Sequence, residues 1–437
     1  MSDHDEIDPS GKMATRRDFL KASAAATGTA ALLATGNYAH AQGSDQIRIG
    51  LIGCGGRGTG AAAQALNADP GVVLTAMGDV FKQQIDAHIN ALKDVPEIAK
   101  RVSVAAEKQF VGLDAYKRVL ETNVDVVLLT TPPGFRPRHI KAAVEAGKHI
   151  FAEKPMATDA AGVKIGLAAV RLAKEKKLNF ANGFCFRKNL THREFFKKLH
   201  EGAIGQVRHV QATYLTGPVK SMPPAASRPA GMSDVEWQIK NWYNFVWSCG
   251  DGLIEQACHS IDKMMWAYND VPPIKAVGTG ARALPNNEGN IFDHIDVFYE
   301  WADGSRGTMA QRQIPSPYND NSDYIAGTRG FATIRGWEPE IHGDQSWKYT
   351  GRRKDMYQVE HDEFFASIRR GAVMNDGEQM AQSTLVGLMG RMAAYTGQEI
   401  TWEMMQKSEE NLFPENLTWD GKLAIAPMAV PGKYPFS

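Results

Sequence analysis

One short stretch of this chain has the residue types and spacing to hold a phosphate. GCGGRG, Gly53 to Gly58, carries the G-x-G-x-x-G spacing. In such a loop Gly53 permits a tight turn and Gly55 lets the backbone approach a pyrophosphate. Gly58 lets the following helix pack against the preceding strand. Gly56 and Arg57 complete the loop, and Arg57 reads either as a hold on the pyrophosphate or as a solvated side chain. About 20 residues further on, Asp79 ends an apolar run, where a carboxylate accepts hydrogen bonds from an adenine ribose. A carboxylate repels a 2′-phosphate, so the expected cofactor is NAD. Lys82 nearby leaves NADP open.

A second stretch, GDGLIEQACHSIDKMMW from Gly250 to Trp266, holds an acid and a base. If it is one helix, Glu255 and His259 stand at i,i+4 on one face. An imidazole titrating near neutral pH can accept a hydroxyl proton as a hydride leaves the same carbon, while a lone histidine taken by itself reads as structural. Glu255 then orients the imidazole, binds a substrate hydroxyl, or is structural. Asp262, one turn beyond His259, is a candidate for the same polar cluster. No metal is expected here, because zinc sites usually need more histidine or cysteine than these residues supply.

These residues need elements to position them. QIRIGLI before the glycine loop and Val72 to Met77 after it read as strands around a helix from Thr59 to Ala68. The alternation continues through helices at Phe81–Leu92, Ala115–Glu121 and Arg136–Ala146, and strands at Val124–Thr130 and His149–Ala152. A further helix and strand follow at Gly162–Lys176 and Asn179–Gly183. This is a doubly wound α/β Rossmann domain with a mainly parallel sheet. Ligands of such sheets lie beyond the carboxyl ends of the strands, which places Thr131, Pro132, Glu153 and Lys154 at the cofactor edge. His139, opening a helix there, reads as a structural cap or supporting residue. Past residue 185 the pattern changes to grouped alternating strands at Val207–Leu215, Lys275–Ala283, His294–Trp301 and Gly307–Ile314, with helices at Gly252–Tyr268, His361–Arg370 and Ser383–Tyr395. The expected division is a Rossmann domain over 45–184 and a second α/β domain over 185–437.

The GCGGRG loop, TTPPGFRPRH at 130–139, AGKHIFAEKP at 146–155 and EGAIGQV at 201–207 together resemble the Gfo/Idh/MocA family of glucose–fructose oxidoreductase and inositol dehydrogenase. The resemblance covers nearly the whole chain after residue 41. It implies a C-terminal domain on an open, mainly antiparallel sheet that commonly serves in homo-oligomers. It also implies that Lys154 is the active-site lysine, holding the reacting hydroxyl oxygen and stabilising negative charge; partial burial that lowered its pKa would let it exchange protons. The family often carries Asp-x-x-x-His where this chain has Glu255 and His259, with alanine in place of the intervening glycine. The implied substrate is a sugar or sugar derivative. Aromatic faces bury sugars well, so WQIKNWYNFVW, including Trp242, is either part of a carbohydrate subsite or packed core. Arg187 and Asp262 are further candidates for substrate contact.

The N-terminus adds a constraint. TRRDFLK at 15–21, a short run of small apolar residues, and Ala39-His40-Ala41 follow the order of a twin-arginine signal peptide over 1–41, with the export machinery as partner and a periplasmic or otherwise exported destination. That pathway carries folded proteins, so the cofactor is expected to be bound in the cytoplasm and recycled internally. Two redox-neutral schemes satisfy this: paired oxidation and reduction of two substrates, or a glycoside hydrolysis through transient oxidation, as in exported relatives that hydrolyse N-acetylgalactosaminides. A cofactor-loaded sugar-binding protein without turnover is the third. The 49 basic and 49 acidic residues balance, so nothing favours nucleic acid or an anionic membrane. No run after the signal is long enough to span a membrane. The four cysteines read as buried free thiols, with a Cys249–Cys258 disulfide as the alternative.

Overall fold

The computed structural model describes residues 45–285, 287–344 and 346–437. The residues read as a signal peptide lie outside the described residues. The first sheet has six strands: β1 (Ile47–Ile52), β2 (Val72–Asp79), β3 (Gln109–Val111), β4 (Val126–Leu129), β5 (His149–Ala152) and β6 (Phe180–Asn182). They lie in the order β3-β2-β1-β4-β5-β6, and every pairing is parallel. Strands such as VVLL, buried at every position, are what a sheet covered on both faces requires. The covering helices include α1 (Gly56–Ala68), α2 (Lys82–Lys93), α3 (Ala115–Leu120), α4 (Arg136–Glu145) and α5 (Ala160–Glu175). The strand order reverses between β1 and β4, which opens a crevice at their carboxyl ends.

The second sheet has nine strands in the order β14-β13-β12-β11-β7-β10-β9-β8-β15. The central pair, β7 (Val207–Thr216) and β10 (Arg306–Gln313), is parallel. All other pairings are antiparallel, through β8 (Lys275–Ala281), β9 (His294–Glu300), β11 (Ser322–Gly327), β12 (Phe331–Arg335), β13 (Glu338–His342), β14 (Trp347–Lys348) and β15 (Ile400–Thr401). Two Rossmann-like and mainly antiparallel layers thus follow one another, as expected.

After α6 (Leu190–His200) and α7 (Asp234–Lys240), the expected single helix from Gly252 to Tyr268 is two: α8 (Gly252–Glu255) and α9 (Cys258–Ala267). The Gly252 carbonyl accepts from both Gln256 N at 3.0 Å and Ala257 N at 3.1 Å, so the ladder slips by one residue. This π-type bulge takes Glu255 and His259 off the common face that their spacing implied. The later helices are α10 (Met356–Arg369), α11 (Gly377–Thr396) and α12 (Trp402–Lys407). Helix α10 returns to the first sheet: Phe364, Phe365 and Ile368 are buried in the core beside Ile49 and Leu51. Arg369 holds Asp69 through two 2.8 Å hydrogen bonds. The chain after 185 is therefore not confined to one layer.

All four cysteines are free and buried, so Cys249 and Cys258 form no disulfide. Among the described residues no helix is long and apolar enough to cross a membrane.

Candidate active site

The glycine loop is built for close approach. Gly53 has φ +92°, and a Cβ there would stand 2.7 Å from Thr131 N. A Cβ on Gly58 would stand 2.1 Å from the Gly53 carbonyl oxygen, so helix and strand pack directly. Gly55 and Gly56 have no atom within 4 Å of that position and face open space. Helix α1 begins there with no side-chain cap and no acidic residue in its first turn. Free N–H groups at such an end suit a pyrophosphate. The crevice is a cavity of about 680 Å³ running from Gly53–Gly58 past Asp79 to Thr131, Pro132 and His139, and is walled opposite by Ile239, Trp242 and Tyr243.

Asp79 lines this cavity with its oxygens braced by Cys54 N at 2.6 Å and Phe81 N at 2.9 Å. Burial raises its pKa, and the backbone donors oppose the rise. Lys82 pairs with Asp86 at the surface and does not line the cavity. The donor set fits NAD. Arg57 touches the cavity but turns its guanidinium to the Glu153 carboxylate, and its Nη1 to Gln64 at 2.9 Å. Arg57 is thus held in an ion pair while still lining the cavity. Glu153 is that pair's buried partner, and it also accepts from Lys154 N at 3.2 Å. It braces the turn after β5 and does not line the cavity.

Lys154, just past β5, extends its ammonium to Glu255. Nζ lies 3.3 Å from Glu255 Oε1 and also donates to the Glu255 carbonyl. Burial lowers the ammonium's pKa, but Glu255, with Cys258 and Glu153, outweighs burial and raises it. The lysine is therefore a fixed cation and not the proton-exchanging group that a lowered pKa would make. Gln256 donates to Glu255 Oε2 and accepts from Tyr214 Oη at 3.1 Å. Burial raises the pKa of Tyr214 to about 12, so it stays a donor.

His259 stands across the bulge. Its ring meets the edges of Phe184 at 6.0 Å and Phe186 at 5.4 Å, and its Nδ1 is buried without a partner. Burial, then the charges of Lys154, Lys263 and Arg57, hold its pKa well below the usual histidine value. It is a neutral base throughout the physiological range, not a group titrating near 7. Glu255 does not orient it; Glu255 is spent on Lys154.

Two expected substrate contacts are not available. Arg187 donates to Asp262 at 2.9 Å from both Nε and Nη2, and to Asp270 at 2.9 Å from Nη1. Asp262 also accepts from Ser383 at 2.8 Å. This buried network ties α9 to α11 and leaves neither residue facing the cavity. The aromatic stretch divides: Trp237, Phe245 and Trp247 are buried together, while Trp242 stacks on Tyr243 at 3.7 Å on the cavity wall. His139 is buried, stacked on Tyr116 at 4.2 Å and hydrogen-bonded through Nδ1 to Thr131 Oγ1 at 3.2 Å. Burial lowers its pKa to about 3, as suits a supporting residue.

Residues 47–184 match the family model described as "Oxidoreductase family, NAD-binding Rossmann fold" of GFO_IDH_MocA. Over these residues the chain matches the Gfo/Idh/MocA oxidoreductase family. Over 382 residues it is 24% identical to a "Glycosyl hydrolase family 109 protein" of Shewanella amazonensis, spanning 83% of this chain and 76% of that one. It is 22% identical over 351 residues to "Inositol 2-dehydrogenase" of Rhizobium meliloti, spanning 76% and 92%. Among solved structures, aldose-aldose oxidoreductase from Caulobacter crescentus superposes with a TM-score of 0.64 at 15% identity, covering 82% of this chain and 99% of that one.

Among the residues around the site, Tyr214, Tyr243 and Gln256 escape sequence reasoning. Tyr214 sits in an alternating strand like any other, and its meeting with Gln256 depends on the bulge. Tyr243 had a signal in the aromatic stretch, but nothing local separates the ring on the cavity wall from those in the core.

Proposed function

We propose that this protein is an exported, NAD-dependent sugar oxidoreductase whose cofactor stays bound through turnover. The observation that carries the reading is the dinucleotide cavity built on Gly53–Gly58 and Asp79, with Lys154 held as a fixed cation just past β5 and its charge acting on the neutral ring of His259; neither side chain is part of that cavity's lining. A bound nicotinamide supplies hydride acceptance and return. Lys154 holds the reacting hydroxyl oxygen by its ammonium and stabilises the negative charge that develops there. His259 takes the hydroxyl proton on an unprotonated ring nitrogen, which its depressed pKa keeps free. Trp242 and Tyr243 offer aromatic surface to the sugar and exclude water from the same wall.

Retention of the cofactor is supported by a strap over the cavity. Residues 234–247 form its outer wall, and the segment 411–425 fastens them. Gln238 Nε2 donates to the Leu423 carbonyl at 2.7 Å, Leu423 N donates to Asp234 at 3.2 Å, and Ser233 donates to the Trp419 carbonyl. Trp419 packs edge-on to Phe81 at 5.6 Å, beside the ribose carboxylate of Asp79. Release would require this layer to open. The reading of residues 1–41 as a twin-arginine signal asks for the same retention, since nicotinamide cofactors are made in the cytoplasm. Each oxidation must then be matched by a reduction in the same cycle.

A second reading, redox-neutral glycoside hydrolysis, is favoured by the glycosyl hydrolase family 109 relative that spans 83% of this chain. Homo-oligomer formation through the second sheet is supported by its bare outer face, where Val277, Phe298, Tyr324 and Phe331 are exposed. The deciding experiment isolates the protein from its native compartment, denatures it, and assays released nicotinamide. A panel of free sugars and glycosides is followed for oxidised and hydrolysed products. Absence of nicotinamide overturns the retained-cofactor reading; hydrolysis without net oxidation selects the second.

A further inference from the structure

We propose that Trp337 is a stacking platform for a second ring of the substrate, next to the sugar that reacts, and so sets a preference for glycosides or disaccharides over free monosaccharides. This rests on the sugar reading above. Gly336 and Trp337 form the two-residue turn between β12 and β13, with φ +52° and +74°. Such turns favour asparagine and glycine, and a bulky side chain there carries backbone strain. The ring is nevertheless held in one orientation. It stacks on Phe186 with centroids 4.8 Å apart and planes 12° apart, while half of the residue stays exposed. Phe186 in turn presents to His259, at 5.4 Å and 82°. The Trp337 ring is therefore one aromatic side chain removed from the base.

The sheet register brings the turn to the reacting end. Arg335 pairs with Ser322, and the next residue of β11, Asp323, pairs with Ala212 of β7, two residues before Tyr214. Tyr214 reaches Gln256, whose neighbour Glu255 holds Lys154. Trp337 thus differs from Phe298, Tyr324 and Phe331, which lie within strands on the outer face and stack, where they stack, on one another or on His342. A strained, oriented, half-exposed indole stacked on the ring that meets the base fits the apolar C–H face of a pyranose or an aryl ring. The reacting sugar takes the place over Lys154 and His259, and the ring attached to it meets Trp337.

The test compares wild type, Trp337→Ala and Trp337→Phe on 4-nitrophenyl hexosides, hexose disaccharides and the matching free hexoses. Trp337→Ala should raise KM for two-ring substrates about tenfold, the scale of a lost stacking contact. kcat should change less, and the KM ratio between free hexose and glycoside should collapse. Trp337→Phe should restore most of the ratio. Tryptophan fluorescence of wild type and Trp337→Phe, titrated with the same glycosides, reads binding without turnover; a glycoside-dependent change absent from Trp337→Phe supports the platform. An unchanged KM ratio in Trp337→Ala overturns it, as does a variant that alters only oligomer mass. If wild type turns over none of these sugars, the sugar oxidoreductase reading falls. If it also shows no Trp337-dependent fluorescence change, the platform falls with it.

Discussion

Lys154 is bound to Glu255 twice, through its side-chain carboxylate at 3.3 Å and through its main-chain carbonyl. The carboxylate fixes both the position and the charge of the lysine. A permanent charge on Lys154 is what holding an oxyanion requires, and a lysine alone at a strand end would point to solvent. Glu255→Gln removes the neighbouring negative charge and so lowers the Lys154 pKa. The rate of sugar oxidation should begin to fall at lower alkaline pH than in wild type, while bound nicotinamide stays constant. A kcat/KM profile across pH 7–11 checks this; an unshifted alkaline limb removes Glu255 from control of Lys154.

His259→Ala should slow hydride transfer by about 10²–10⁴-fold, the usual contribution of a positioned base. Because burial and three neighbouring cations depress the imidazole pKa, the loss should be uniform through neutral pH with no inflection near 6.5. Single-turnover absorbance at several pH values measures it. A loss confined to pH above 6.5 means the ring titrates normally and its proposed environment is wrong.

Trp419→Ala should loosen the strap without touching the chemistry. Nicotinamide loss on dilution and gel filtration should be accelerated about tenfold, the scale of one buried aromatic contact. The Lys154–Glu255 pair is not part of the cavity lining that the strap covers, so hydride transfer by the loaded variant should persist. Equal retention in variant and wild type would place the hold on the cofactor elsewhere.

His361 has both ring nitrogens buried without partners, and burial, then Arg57, lowers its pKa well below the usual value. The unfolded chain takes this proton near pH 6.5 and the folded chain resists it. The contribution to stability is present above pH 6.5 and is lost as pH falls, by at most about 1.4 kcal/mol per pH unit. His361→Leu removes that dependence. Urea midpoints at pH 7 and pH 5 should show the variant gaining on wild type as pH falls; an equal difference at both values would mean His361 does not resist protonation.

The glycine spacing, the apolar strands and the acid after β2 are local features, and they determined the Rossmann half from sequence alone. Each of those residues acts through its own backbone or its immediate neighbours, so spacing carries the information. The grouped strands after residue 185 were legible for the same reason, though β11 to β15 went unseen. Their strand order, with β7 and β10 parallel at the centre, comes from pairings between distant segments that periodicity does not encode. Tertiary structure alone decided the partners of the charged groups. A one-residue slip at Gln256 and Ala257 gave Glu255 to Lys154 instead of His259, and burial gave Arg187 to Asp262 and Asp270. A buried charge must find a counter-charge, and which one it finds depends on side chains that meet only after the two sheets and their covering helices have packed.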